Sequence, residues 1–401
     1  MSTPSREVIV VGAGPAGSAI ASLLARRGHD VLLLDAARHP RDKICGEGVS
    51  PEAWRLLDAM GASGRVQALR PMPLRGMRLV SPNGTAFTGL YRNCERPGFA
   101  LLRRRLDAAL ADTAREAGAE LREETTVTGL LRDGAAVTGV VVGREGAAVR
   151  ARVVVGADGR RSVVARQLGL LREHSRLRRF AVRGHWQGME GLDETGEMHV
   201  GAGGYCGIAP LSSRCGNVTF VLPAARMAAA AGDLEGFYRD TLRTRWPTIA
   251  ERLASARLCE PPRAIGPLAL VCRDVAAPGA VLVGDAAGFH DPFTGEGVTL
   301  ALRSAELAAD AIGRALAADA GPGHLPRLAS YAEAYRAATR DKFRFNRLLQ
   351  VAVAWPAAAD AIAARLARRP DLADRLVGIA GDFVPARRAL GPRFLLDLLR
   401  A

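Results

Sequence analysis

The sequence lacks the features that would direct it to a membrane or a secretory pathway. It contains no stretch of about 18 uncharged apolar residues, so we expect no transmembrane helix. The first predicted strand begins close to residue 1, so we expect no signal peptide. The six cysteines are scattered and none forms a Cys-x-x-Cys pair, which predicts reduced thiols, no metal site and a cytoplasmic location.

Lysine is also scarce. Lys43 and Lys342 are the two lysines among 55 basic residues, so the net charge of +14 comes from arginine. Abundant alanine, glycine and arginine indicate compositional bias, although attraction to anionic cofactors, anionic substrates or a membrane surface also fits the charge. No basic patch interleaved with aromatic residues occurs, so no nucleic-acid partner is predicted. With 401 residues, the chain is long enough for two domains.

The amino-terminal segment carries a glycine-rich turn between a strand and a helix. Residues 8–11 are an apolar run of strand length, and residues 18–27 predict an amphipathic helix. A second buried strand ends at Asp35, whose carboxylate can accept hydrogen bonds from a ribose diol. The glycines permit a tight turn, close approach of a pyrophosphate and close packing of helix on strand. This pattern predicts adenine-dinucleotide binding at the turn residues Gly12, Gly14, Ala16 and Gly17.

Two later motifs each consist of a strand that delivers an aspartate to a turn. Residues 153–155 lead to Asp158, and residues 281–283 lead to Gly284 and Asp285. A glycine-rich loop at residues 292–297 then opens a helix, whose positive end would favour an anionic flavin edge. Either motif alone would be an ordinary turn, whereas the three motifs in this order are specific.

In this order the motifs resemble those of the two-domain FAD-dependent oxidoreductases of the para-hydroxybenzoate hydroxylase type, over residues 6–315. That superfamily includes aromatic monooxygenases, flavin-dependent halogenases and geranylgeranyl reductases. The resemblance implies an α/β fold, in which an antiparallel β-sheet substrate domain is inserted into a Rossmann-like FAD-binding domain and a helical carboxy-terminal tail follows. We expect the FAD-binding domain at residues 1–75, 100–175 and 263–315, the substrate domain at 76–99 and 176–262, and the tail at 316–401.

The resemblance also implies cofactor contacts beyond the first turn. Arg103 matches the arginine that usually lies by the FAD phosphates, and Val127 matches the residue whose backbone usually meets adenine. Asp158 matches the motif near the pyrophosphate, which is associated with FAD and with NAD(P)H, the implied reductant. Gly284 and Asp285 match the ribityl-binding motif. The remaining expected contacts to FAD are Asp35, Lys43, Cys45, Gly46, Pro292, Gly295, Gly297 and Val298.

Two loops distinguish branches of this superfamily. Residues 43–46 form a Lys-x-Cys-Gly loop that resembles the geranylgeranyl reductase branch, as does the Thr-Gly-Glu-Gly of residues 294–297. Gly207 lies where those reductases carry a tryptophan, which counts against a prenyl substrate. The halogenase Trp-x-Trp-x-x-Pro signature is absent from the sequence.

Three residues are candidates for catalysis: Cys45, Tyr205 and His290. Cys45 either packs under the flavin, which we favour, or acts as a redox, nucleophilic or proton-donating thiol. Tyr205 lies on a strand expected to floor the substrate cavity, together with Cys206, and either packs or makes a hydrogen bond. His290 is either a proton donor or a loop residue bonded to backbone. Glu47 is either a solvated loop carboxylate, which we favour, or a proton donor at the substrate.

These observations predict an enzyme that uses FAD. The leading hypothesis is an NAD(P)H-using monooxygenase that hydroxylates an apolar aromatic or polyketide-like small molecule. The alternative is a flavin-dependent reductase that saturates alkenes of a prenyl or other lipid-like substrate. A third hypothesis is a flavoprotein that modifies a side chain of a partner protein. The tail from residue 343 carries apolar stripes and basic clusters, so it either covers the substrate cavity or makes peripheral membrane contact.

Overall fold

The structure is a computed structural model that describes residues 5–173, 178–201, 203–230, 232–289, 291–318, 325–388 and 397. The strands in these residues are β1 Ser5–Val11, β2 Val31–Leu34, β3 Gly48–Val49, β4 Met72–Leu74, β5 Gly76–Val80, β6 Ala86–Leu90, β7 Gly98–Ala100, β8 Glu120–Arg122, β9 Val127–Asp133, β10 Ala136–Val142, β11 Ala147–Gly156, β12 Leu171–Glu173, β13 Arg179–Gln187, β14 Thr195–Gly201, β15 Gly204–Pro210, β16 Cys215–Pro223, β17 Arg257–Leu258, β18 Arg263–Ile265, β19 Leu270–Cys272, β20 Ala276–Ala277, β21 Ala280–Leu282 and β22 Gly288–Phe289. The helices are α1 Pro15–Ala25, α2 Ala53–Met60, α3 Ser63–Ala68, α4 Arg103–Glu116, α5 Val163–Gln167, α6 Leu234–Arg245, α7 Pro247–Arg252, α8 Gly297–Ala317, α9 Leu325–Ala354, α10 Pro356–Arg368 and α11 Pro370–Ala380.

One sheet brings the sequence motifs to a common edge. Its strand order is β20-β21-β11-β1-β2-β8, and strands β8, β2, β1, β11 and β21 are parallel. Val31–Leu34 is buried along its whole length, as expected for a parallel strand whose two faces are covered. Because the carboxyl ends of parallel strands share one edge, the loops after β1, β2, β11 and β21 meet there. These loops carry Gly12, Asp35, Asp158 and Gly284.

A second sheet has the strand order β17-β13-β16-β15-β14-β5-β6, and β18 also pairs with β13. Its pairs are antiparallel except β5 with β14, which is parallel. The sheet is therefore mixed, whereas the sequence predicted an antiparallel sheet. No tight hairpin links β5 to β14, which lie more than a hundred residues apart, so their relative direction is not set by a turn. One face packs Phe220 of β16 in a cluster with Tyr238 of α6 and Ile249 of α7. The opposite face carries Tyr205 and Met198 toward Phe293.

A proline and a glycine separate neighbouring elements of this region. α6 ends before Trp246, and α7 begins at Pro247. Proline has no N–H to continue the helical ladder and is favoured at the first turn of a new helix. β14 and β15 form a hairpin, which turns at Gly203 with φ +78°.

The carboxy-terminal helices cover the edge of the second sheet. α11 lies on β6, where a side chain at Gly89 would overlap the carbonyl oxygen of Ala373. Phe345 of α9 is buried with Phe87 of β6, and Val353 of α9 is buried in the same cluster as Tyr205. This part of the tail therefore packs on the second sheet. Among the described residues, no helix is both long and apolar enough to cross a membrane.

Candidate active site

The first glycine turn is shaped by close backbone contacts on one side and by open space on the other. A side-chain carbon at Gly17 would overlap the Gly12 carbonyl oxygen, and one at Gly12 would lie 2.6 Å from the Ala157 carbonyl oxygen. At Gly14, the nearest atom to such a carbon is Arg41 Nη2 at 3.6 Å. The space in front of the α1 amino terminus is therefore open, and helix amides and the positive dipole end face it. A phosphate group fits that position.

Asp35 is held rigidly at the end of β2. Its side chain is buried, and its two oxygens accept hydrogen bonds from the backbone N–H groups of Ala13, at 2.7 Å, and Ala37, at 2.9 Å. Arg41 Nη2 lies 3.5 Å from the carboxylate. Asp35 lines the same cavity as Gly14. A carboxylate oxygen has more than one lone pair, so Asp35 retains capacity to accept from a ribose diol.

A cluster of cationic side chains surrounds the next part of the cavity. Arg103 is buried and makes a two-pronged ion pair with Asp107, with N···O distances of 2.7 and 2.9 Å. Arg41 Nη1 lies 3.2 Å from Asp107, which shares the carboxylate between two guanidinium groups. Burial alone would lower the pKa of Arg103, but Asp107 and then the Cys45 sulfur raise it. Arg103 therefore remains a buried cation.

Lys43 is a second cation on the wall of the cavity. Unlike Arg103, it has no hydrogen-bond partner for its side chain, because no acceptor among the described residues is bonded to its Nζ. Burial lowers the pKa of Lys43, and the charge of Asp285 opposes that shift. Burial likewise lowers the pKa of Arg160, again opposed by Asp285. Lys43 and Arg160 are half-buried, and neither makes an ion pair within the described residues. Half-buried cations without a counter-charge are costly, so this part of the cavity is complementary to an anionic ligand.

The loops after β11 and β21 contribute two aspartates that differ in their hydrogen bonds. Asp158 Oδ2 accepts from the Val163 N–H at 2.7 Å and so caps α5, whereas its Oδ1 is buried without a partner in the described structure. Burial raises the pKa of Asp158, although Ser162 and backbone N–H groups lower it. Asp285 also lines the cavity, and no donor in the described parts of the chain bonds its carboxylate. Asp285 is therefore free to accept hydrogen bonds from ligand hydroxyls.

The glycine loop before α8 completes this end of the cavity. Gly295 has φ +69°, and no atom lies within 4 Å of the position that a side-chain carbon would take there. Gly297 begins α8, a helix of 21 residues, and lines the cavity with Pro292 and Val298. The helix directs its positive end at the cavity, where it would stabilise an anionic ring edge.

The cavity as a whole has a volume of about 610 Å³. Its wall includes five features: open space at the amino terminus of α1, the fixed carboxylate of Asp35, the cations Lys43 and Arg160, the free carboxylate of Asp285 and the amino terminus of α8. These features fit the phosphates, the ribose, the ribityl chain and the ring of FAD. The predicted cofactor residues that line it are Gly12, Gly14, Ala16, Asp35, Lys43, Cys45, Gly46, Arg103, Val127, Asp158, Gly284, Asp285, Pro292, Gly295, Gly297 and Val298. Gly17 does not line the cavity, because its role is to let α1 pack against the turn.

The Lys-x-Cys-Gly loop is fastened to the second sheet by a polar network that sequence reasoning missed. Glu47 is 1% exposed, so the expectation of a solvated carboxylate was wrong. Its Oε2 lies 2.7 Å from His185 Nε2 and accepts from Asn217 Nδ2 at 2.9 Å, while its Oε1 accepts from the Arg103 N–H at 3.0 Å. The available signal was that Arg183 and His185 lie two residues apart on β13 and therefore on one face of the strand.

Further contacts fix the backbone on either side of Cys45. Asn217 Nδ2 donates to the Cys45 carbonyl oxygen at 2.8 Å. Arg183 donates to both carboxylate oxygens of Asp42, at 2.9 and 2.8 Å, and to the Lys43 carbonyl oxygen at 3.2 Å. The Cys45 sulfur accepts from the Glu47 N–H at 3.3 Å and lines the cavity. The network therefore sets where the thiol lies.

The remaining walls of the cavity are largely apolar. Tyr205, Gly207 and Ala209 of β15 line it, and Tyr205 stacks edge-on against Phe293 with ring centroids 5.0 Å apart. The Tyr205 hydroxyl donates to Asp291 Oδ1, and burial followed by Asp291 raises the pKa of Tyr205 well above its ordinary value. Tyr205 thus both packs and makes a hydrogen bond.

Two sequence predictions for this region have different outcomes. Cys206 was expected on the cavity wall, but it packs on the opposite face of the sheet with Phe220 and Tyr238. Neighbouring residues of a strand point to opposite faces, so Tyr205 and Cys206 cannot share the cavity. His290 lies outside the described residues. The described residues contain no group of three or more His, Cys, Asp or Glu side chains able to hold a metal ion.

Comparisons with known proteins add to this geometry. A family model described as FAD binding domain matches residues 5–344. The menaquinone reductase of Mycolicibacterium smegmatis is 29% identical over 326 residues, which are 76% of this chain and 75% of that protein. The digeranylgeranylglycerophospholipid reductase of Methanosarcina acetivorans is 31% identical over 318 residues, which are 76% of this chain and 74% of that protein. The solved structure of the myxobacterial chondrochloren halogenase, a FAD-dependent halogenase, has a TM-score of 0.78 and 27% identity, covering 86% of this chain and 82% of that chain.

Proposed function

The chain belongs to the FAD binding domain family, and we propose that it is a reductase that saturates a carbon–carbon double bond of an apolar, lipid-like substrate. Family membership confirms FAD as the cofactor, a Rossmann-type flavoprotein fold and an FAD-dependent oxidoreductase as the class of enzyme. NAD(P)H is the expected reductant. The choice of reaction rests on the residues of this chain.

The observation that carries the proposal is the position of Cys45. Its thiol lies on the wall of the cavity, its carbonyl oxygen accepts from Asn217, and its sulfur accepts from the Glu47 backbone N–H. The Arg103 guanidinium lies close enough for the sulfur to raise the pKa of Arg103. An adjacent cation stabilises the thiolate that remains after a proton has been given away. Cys45 is therefore proposed as the proton donor, in preference to the packing role that the sequence favoured.

When bound and reduced, FAD supplies a hydride to one carbon of the double bond. The proton for the second carbon comes from the Cys45 sulfur, and Arg103 holds the resulting thiolate until water reprotonates it. Asp35, Lys43 and Asp285 bind and orient the cofactor along the cavity. Tyr205 serves as a wall, because its hydroxyl is already committed to Asp291 and a tyrosinate beside that carboxylate would be unfavourable.

The names of the relatives support a reductase of lipid-like substrates rather than the hydroxylase that led the sequence hypotheses. Hydroxylation remains the second candidate on one observation. Gly207 places no side chain on the sheet side of the cavity, where a side-chain carbon would fit in ordinary contact with Met198 Cε at 3.5 Å. That space would admit a ring system as readily as a prenyl chain.

Anaerobic reoxidation of the reduced holoenzyme tests the proposal. Under argon, a geranylgeranyl lipid without a quinone ring should reoxidise the flavin and yield a product heavier by two hydrogens. Cys45→Ser should keep its FAD content and its reduction by NAD(P)H yet lose at least tenfold in reoxidation by the alkene. Cys215→Ser is the matched control, because Cys215 is half-buried and does not line the cavity.

Two results would overturn the proposal. Reoxidation by the alkene at the wild-type rate in Cys45→Ser would remove Cys45 as the proton donor. Oxygen consumption coupled stoichiometrically to a hydroxylated product, with no turnover under argon, would replace the reductase by the monooxygenase.

A further inference from the structure

Helix α9 presents large apolar side chains to solvent. Among the described residues, the exposed large hydrophobic side chains are Leu348, Val351 and Trp355, at 54%, 64% and 65% exposure. Their spacing of three and four residues places them on one face of α9 and at its junction with α10. Contiguous exposed apolar surface of this kind marks an interaction site.

The same stretch of helix has a buried inner face. Phe345 is 3% exposed and Val353 is 8% exposed, and Val353 belongs to the cluster that contains Tyr205 and Phe293. The exposed side chains are thus the outer side of a packed helix that covers the cavity region.

The surface around these side chains is basic. Between Asp341 and Asp360 the sequence contains no acidic residue. Arg344 is 62% exposed, with its nearest carboxylate, that of Asp341, 3.7 Å away, and Arg347 is exposed. We propose that Arg344, Arg347, Leu348, Val351 and Trp355, the outer stripe, dock on the surface of an anionic phospholipid bilayer.

The size and chemistry of the outer stripe favour a bilayer over a protein. A stable protein interface uses about 20–30 residues on each side, whereas a few inserted apolar side chains with neighbouring basic residues suffice for reversible bilayer contact. Tryptophan is suited to the membrane–water boundary because its ring is apolar and its N–H is polar. The outer stripe lies almost entirely beyond residue 344, where the family model ends, and the inference does not rest on the proposed reaction.

Tryptophan fluorescence can report on this surface directly. Trp54, Trp186 and Trp246 are 7%, 2% and 5% exposed, so Trp355 is the accessible tryptophan of the chain. The holoenzyme is mixed with vesicles of phosphatidylcholine alone, or of equal parts phosphatidylcholine and phosphatidylglycerol, with brominated acyl chains. Bromine should quench Trp355 in the anionic vesicles, and Trp355→Phe should remove the quenching while the protein still sediments with them.

Paired variants separate the apolar and basic contributions. Leu348→Gln/Val351→Gln should abolish sedimentation with vesicles. Arg344→Gln/Arg347→Gln should weaken anionic binding at least tenfold, since each basic residue near an anionic surface contributes about fivefold. Arg104→Gln/Arg243→Gln removes the same charge from exposed positions of α4 and α6 and should leave binding unchanged.

Absence of quenching in anionic vesicles would overturn the proposal, as would equal sedimentation of wild type and Leu348→Gln/Val351→Gln. Self-association that these variants abolish, without vesicle binding, would instead make the outer stripe an interface between copies. Vesicle binding without turnover of any alkene would support the docking surface and refute the proposed reaction.

Discussion

Glu47 and His185, which are 138 residues apart in the sequence, share a buried hydrogen bond of 2.7 Å. Glu47 has φ +63°, a backbone conformation that a non-glycine residue adopts at a cost, so contacts elsewhere must stabilise it. Its carboxylate joins the loop that carries Cys45 to β13 and β16 of the second sheet. The loop that carries Cys45 is thus positioned by the second sheet.

Removing this carboxylate should destabilise the protein. Glu47→Ala leaves the Arg103 N–H, His185 and Asn217 without their buried acceptor, so we expect the free energy of unfolding to fall by about 2–4 kcal/mol. Urea denaturation of the holoenzyme measures the change, and Glu190→Ala at an exposed position serves as the control. Equal losses in the two variants would show that the network does not stabilise the fold.

The open space at Gly14 predicts a specific loss of FAD. Gly14→Val places a branched side chain where the pyrophosphate should lie, so the purified variant should carry no yellow colour. Gly64→Val, at a helical glycine with open surroundings outside the cavity, is the control and should keep its flavin. Stoichiometric FAD in Gly14→Val would refute the assigned position of the pyrophosphate.

Asp285 should contribute mainly to FAD binding, and Asp158 mainly to the stability of the fold. The Asp285 carboxylate has no hydrogen-bond donor in the described parts of the chain, so Asp285→Ala should weaken FAD binding by about 1.5–3 kcal/mol with little effect on the melting temperature of the apoprotein. Asp158 already caps α5, so Asp158→Ala should lower that melting temperature and weaken FAD binding less.

Titration of each apoprotein with FAD, together with thermal melts, separates the two effects. Wild-type FAD affinity in Asp285→Ala would contradict its assignment to the ribityl chain.

The sequence could predict which loops meet at the candidate flavin site because those loops follow local patterns. A strand leads into a glycine turn at Gly12, and a strand leads into a glycine and an aspartate at Asp158 and at Gly284. The parallel sheet then brings these loops to one edge. The network around Glu47 could not be predicted, because His185 and Asn217 become its neighbours only when two sheets pack. The prediction for Cys206 was wrong for a simpler reason: Cys206 follows Tyr205 on β15, and neighbouring strand residues point to opposite faces of the sheet.

Glu296 predicts a dependence of stability on pH. Its carboxylate is buried and pairs with Lys342, whose Nζ also lies 3.2 Å from Asp382. Burial raises the pKa of Glu296 to about 8 from an ordinary value of 4.5, although Lys342 opposes the shift. The folded state then binds the proton more tightly than the unfolded state. This contribution to stability is complete below about pH 4.5 and is lost as the pH rises toward about 8.

The comparison variant is Glu296→Gln, which cannot ionise. From pH 5 to pH 8, the free energy of unfolding of the wild type should fall by about 1–3 kcal/mol relative to this variant, as measured by urea denaturation. A difference that stays constant or grows with pH would show that Glu296 is ionised in the folded protein across this range.

Gly207 should determine the width of substrate that the cavity accepts. A side-chain carbon there would make ordinary contacts, 3.5 Å from Met198 Cε and 3.8 Å from the Glu197 and Thr219 oxygens, so a side chain can be added without moving the backbone. Gly207→Trp would project into the cavity away from the FAD-binding residues. We expect an unchanged FAD content and at least a tenfold loss in kcat/KM for a substrate with a fused ring system, with a smaller loss for a linear prenyl chain.

Gly207→Ala controls for the loss of glycine itself and should resemble the wild type. Equal turnover of both substrates by Gly207→Trp would mean that the substrate does not lie on this part of the sheet.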